Sequence, residues 1–125
     1  MWVLLMINTL KSISIFTLLL FMPLASFAAV VNSSVGMIDG MYAYDDFGAQ
    51  DRFEGADVAV WFKTGLSECS AGVWLTPSAP GYQTLVSFLL TAYTTKQRVK
   101  FQVYNDRIWT GSSNNLCQID AIRFE

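Results

Sequence analysis

No histidine occurs among the 125 residues. Its absence removes Ser-His-Asp and Cys-His catalysis, and with them the commonest metal ligand. Cysteine is scarce: Cys69 and Cys117 are the only two. No apolar run reaches membrane length, because the longest, around Ile13 to Met22, falls well short of the roughly 20 residues a spanning helix needs. An excess of positive charge is also missing. With Lys11 set aside, seven cations face ten acids, a net charge of −3 that does not favour a nucleic acid partner. No internal repeat and no interdomain linker divides the chain.

The first 28 residues read as an export signal. Lys11 supplies the positive charge, Ile13 to Met22 the apolar segment and Pro23 a break, and Ser26-Phe27-Ala28 offers small residues at the cleavage-determining positions. Cleavage is expected after Ala28, whether translation starts at Met1 or at Met6. This leaves residues 29–125 as one domain of an exported protein, periplasmic or secreted, with no stable membrane insertion. So short a domain is near the lower limit for burying an adequate core unaided. In an oxidising compartment Cys69 and Cys117 are therefore expected to form a disulfide, leaving no free thiolate for catalysis.

The remaining pattern is mostly β with one helix. Val35 to Tyr44 reads as a bent first strand with Ile38, Met41 and Ala43 inward. Val58, Val60 and Phe62 alternate with Ala59 and Trp61 in a second strand, and Ala71, Val73 and Leu75 with Gly72 and Trp74 in a third. Ser78-Ala79-Pro80 suits a helix start, with Ser78 as a cap. Tyr82, Leu85, Val86, Leu89 and Tyr93 make one helical stripe that stops around Thr94 to Gln97. Val99, Phe101 and Val103 alternate in a fourth strand. A fifth runs from Leu116 to Phe124, where the apolar phase slips at Asp120-Ala121 as a bulge would make it. The order β-β-β-α-β-β matches a five-stranded OB-fold barrel. In that barrel the third and fifth strands lie parallel, which places the two cysteines near each other.

Carboxylates are the catalytic groups left. Asp45, Asp46, Asp51, Glu54 and Asp57 crowd the first loop, where they are a solvated loop, a calcium site or a glycosidase pair. The spacing enforces neither of the last two, so no catalytic residue, metal or cofactor is assigned. Acids crowd the first half while Lys96, Arg98, Lys100, Arg107 and Arg123 dominate the second, a charge split compatible with head-to-tail self-association. Trp61 and Trp74 fall on the face opposite the apolar stripe. There they stack on a ligand, seal an interface or lie beneath the first loop. Tyr104 also points outward.

The run LLTAYTTKQRVKFQVYNDRIWT, Leu89 to Thr110, resembles the B subunits of subtilase cytotoxin and pertussis-like toxins. They share an aromatic-rich helix, a Thr-Thr turn, a basic alternating strand and a closing Trp-Thr. LSECSAGVW is similar to the Cys-to-Trp segment before the helix in that family. The resemblance implies an exported, non-enzymatic OB-fold module that assembles into a homopentamer and binds sialylated glycans. Ser34 and Tyr104 match the family's sugar-binding serine and tyrosine by position. The chain is similar also to small exported OB-like proteins without assigned activity, for which a periplasmic structural or protein-interaction role with no carbohydrate ligand is the alternative expectation.

Overall fold

The computed structural model describes residues 29–45 and 57–125. Residues 1–28, read above as an export signal, and most of the acidic loop, including Asp46, Asp51 and Glu54, lie outside the described residues. Among the described residues seven strands and one helix follow in the order β1 (Val30–Asn32), β2 (Gly36–Met37), β3 (Gly40–Tyr44), β4 (Asp57–Trp61), β5 (Gly72–Leu75), α1 (Tyr82–Thr95), β6 (Arg98–Ile108) and β7 (Leu116–Phe124). The sheet order is β1-β6-β7-β5-β4-β3, and β2 also pairs with β6. The fold is thus mostly β with one helix, as expected, but its sheet follows an open path rather than five strands closed into a barrel.

The departure arises in the first expected strand, Val35 to Tyr44, which is divided into β2 and β3, with β1 an additional strand ahead of it. Ser33 is buried, and its hydroxyl donates to the Ser34 carbonyl (2.7 Å) and accepts from the Phe101 amide (3.1 Å), so a side chain replaces one rung of the ladder between β1 and β2. Beyond β2 the chain changes partner: β1 and β2 pair with β6, whereas β3 pairs with β4. Ala43, expected inward, is exposed because β3 is the last strand of the path, with no further strand beyond it among the described residues.

The other strands keep the expected phase, and alternation sorts their side chains onto two faces. Val58, Val60, Phe62, Val73, Leu75, Val99, Phe101, Val103, Ile119 and Ile122 share the main core. Helix α1 covers it with Leu89, which is fully buried, and with Tyr82, Leu85, Val86 and Tyr93 packed alongside. Ala92, absent from the expected stripe, is also fully buried, because a small residue lets the helix backbone approach the sheet. The helix begins differently from expectation. Its N-cap is Gly81, with no side-chain cap bond, whereas the Ser78 hydroxyl sits 3.0 Å from that of Thr76. It ends as expected, at Lys96 in the left-handed conformation, whose amide bonds to the Ala92 carbonyl.

A second cluster occupies the opposite face. Ala59, Trp74, Trp109 and Leu116 are buried there, with Tyr44, Trp61 and Ala71 packed against them. Ala71, expected on the main-core face, belongs here instead, because it precedes the first residue of β5. Gly72, the first residue of β5, pairs with Trp61 of β4 at φ +152°, and a Cβ at that position would run into the Val60 carbonyl oxygen. Strands β5 and β7 pair in parallel, with Val73 opposite Cys117. The Cys69–Cys117 disulfide joins their leading ends with a Cα separation of 5.7 Å. Among the described residues no helix is long and apolar enough to cross a membrane.

Candidate functional site

Two irregularities in the β6–β7 ladder fall close together. Gln102 pairs with Ala121 but Val103 with Ile119, so Asp120 is an extra residue on β7, the bulge that the slipped apolar phase implied. Tyr104 then pairs with Gln118 while Ile108 pairs with Cys117, leaving Asn105, Asp106 and Arg107 outside the register. Bulges re-aim side chains and are over-represented beside functional sites. Here they turn Asp120 and Arg107 toward the same side chain.

That side chain is Tyr104. Its hydroxyl donates to Asp120 Oδ1 at 2.7 Å, and the Arg107 guanidinium lies over its ring, 4.0 Å from the centroid. The hydrogen bond to Asp120 raises the Tyr104 pKa above its ordinary value of 10.0, with burial and the Asp120 charge adding to the effect and Arg107 opposing it. The phenol therefore stays protonated at neutral pH and remains a donor. These groups line a cleft of about 690 Å³ between the start of α1 and the bulged ladder, together with Gln118, Thr84 and Ser78. A smaller depression of about 200 Å³ shares Thr84, Leu85 and Asp120 and continues over Phe88, Ala121 and Ile122. The cleft thus joins a carboxylate, a guanidinium, an amide, hydroxyls and an aromatic ring to an apolar shelf.

The residues singled out in the sequence separate in space. Tyr104 lines the cleft. Ser34 does not: its hydroxyl accepts from the Ser67 amide (2.9 Å) and its amide donates to the Ser67 hydroxyl (2.7 Å), tying the β1–β2 link to the turn after β4. Along β6 Ser33 lies beside Phe101, while Tyr104 faces Val30, so the serine and the tyrosine are set apart along the strand. Trp61 and Trp74 do share the face opposite the main core, on strands that pair side by side. Trp74, however, is 1% exposed, and its indole N–H donates to the Arg107 carbonyl at 3.0 Å. It offers no open face for stacking and instead fixes the backbone that presents Arg107. Trp61 is half-buried, meets Tyr42 edge-on with centroids 6.4 Å apart, and its indole nitrogen finds no partner among the described residues.

Arg107, Gln118, Asp120 and Thr84 carry no sequence motif and were not singled out as site residues. The signal for Asp120 was present as the phase slip in β7; that for Arg107 was hidden, since strand alternation does not announce a three-residue excursion. Asp57, read within the acidic loop, is instead buried in β4, where its Oδ2 accepts from the Trp109 indole at 3.0 Å. No group of three or more metal-binding side chains occurs among the described residues. No family model, curated protein or solved structure matches the chain.

Proposed function

We propose that the protein is an exported, non-enzymatic binding module that holds a glycan in the cleft around Tyr104 and, like the toxin B subunits it resembles, acts as a homo-oligomer. The observation that carries this reading is the Tyr104 phenol held between Asp120 and Arg107 within a cleft of about 690 Å³. Sugar hydroxyls both donate and accept, and such a site offers fixed donors, fixed acceptors and a ring edge together. The OB-fold reading belongs to the same proposal: residues 30–44 act as one interrupted strand that serves both ends of the sheet path, β1 and β2 on β6 and β3 on β4. Ser34 enters this account as a tie to Ser67 rather than as a sugar ligand.

Arrayed glycans test the reading. Binding by the wild-type protein that is lost in Tyr104→Phe supports it; no binding to any glycan at high micromolar protein removes it. A second reading rests on Tyr42, which is 53% exposed beside Trp61 on β3. That aromatic pair suits a protein partner, and native mass spectrometry showing a monomer, with no glycan bound, would favour it.

A further inference from the structure

The charges in the cleft point to the kind of sugar. We infer that the cleft selects a neutral, hydroxyl-rich sugar and rejects anionic ones, an inference that rests on the glycan reading. Tyr104 spaces two opposite charges by the span of one phenol: Asp120 at its hydroxyl and Arg107 over its ring. Asp120 and Arg107 are both exposed and both line the cleft. An ionised carboxylate only accepts and a guanidinium only donates. A pair of adjacent sugar hydroxyls satisfies both, one donating to Asp120 and the other accepting from Arg107, while Gln118 can complete either half. A ligand carboxylate or sulfate could use Arg107 only by lying close to Asp120, and like charges set together in a site act against the wrong partner.

The two charged residues also have independent supports, which makes their placement specific. Trp74 anchors the Arg107 carbonyl, and the β7 bulge presents Asp120. Neither group depends on the other for its position. The neutral balance of the site therefore belongs to the fold itself.

The test is titration of the full-chain protein, purified as an expressing host processes it, with lactose and cellobiose as neutral probes and sialyllactose as the anionic one. The neutral sugars should bind, with affinity changing by less than about twofold between about 0.05 and 0.5 M NaCl, because no net charge is neutralised. Arg107→Gln and Asp120→Asn should each weaken that binding about tenfold, since each removes a charge-assisted hydrogen bond. Binding confined to sialyllactose, or binding strengthened by Asp120→Asn, would overturn the inference and leave the glycan reading standing. Absence of binding to all three probes and across a glycan array would overturn both.

Discussion

Asp57 and Tyr104 show how differently two polar side chains of one small sheet can be used. Asp57 is 1% exposed and accepts from the buried indole of Trp109. Replacing it with alanine strands that donor in the second cluster, so Asp57→Ala should lower stability by about 2 kcal/mol in urea unfolding, with Asp57→Asn costing less. A neutral effect would mean that the bond contributes little. Tyr104 works at the surface. Because its folded pKa is raised, chiefly by the bond to Asp120, the folded protein holds this proton more tightly than the unfolded chain does. That contribution is complete below the ordinary value of 10.0 and is lost as pH rises through the raised one. Burial raises Tyr82 as well, with the Asp57 charge adding to it. Ultraviolet titration of the phenols should therefore show a late component that shrinks in Tyr104→Phe; a late component unchanged by that substitution would contradict the assignment.

Among the elements, β5 is the most constrained and β6–β7 the most informative. Gly72 combines a positive φ with direct contact against the Val60 carbonyl, so Gly72→Ala must push β4 and β5 apart. A loss of about 3 kcal/mol or more is expected, read as a lower urea midpoint. The strands from Val58 onward and the helix stripe were legible because one buried face imposes a period on the residues, as in Val99, Phe101 and Val103 against Leu85 and Leu89. The division of residues 30–44 was not legible. It depends on the Ser33 hydroxyl bonding across to Phe101, sixty-eight residues away, and no local pattern reports such a bond. The cleft was half legible for the same reason: the Asp120 bulge disturbs the apolar phase, but the Arg107 excursion does not. Trp74 was placed on the correct face, yet pattern alone could not reveal that Trp109, Leu116 and Ala59 bury it there.

At the scale of the whole molecule, the disulfide and the cleft lie on one structural line. Cys117 is bonded to Cys69 and is followed on β7 by Gln118 and Asp120, so the staple fixes the strand that supplies two cleft residues. Closing a loop between positions 48 residues apart should stabilise the fold by about 4 kcal/mol in the chain-entropy model. For a domain of this size that corresponds to a fall of roughly 15–30 °C in Tm on reduction. Unchanged melting under full reduction would show that the core carries the fold without the staple. The central claim, that the Tyr104 cleft holds a glycan, is tested most directly by mapping amide and side-chain chemical shifts on titration with lactose. The account predicts saturable shifts confined to Thr84, Tyr104, Arg107, Gln118, Asp120 and their neighbours. Shifts centred instead on Tyr42 and Trp61, or no shifts with lactose, cellobiose, sialyllactose or any sugar of a glycan array, would contradict it.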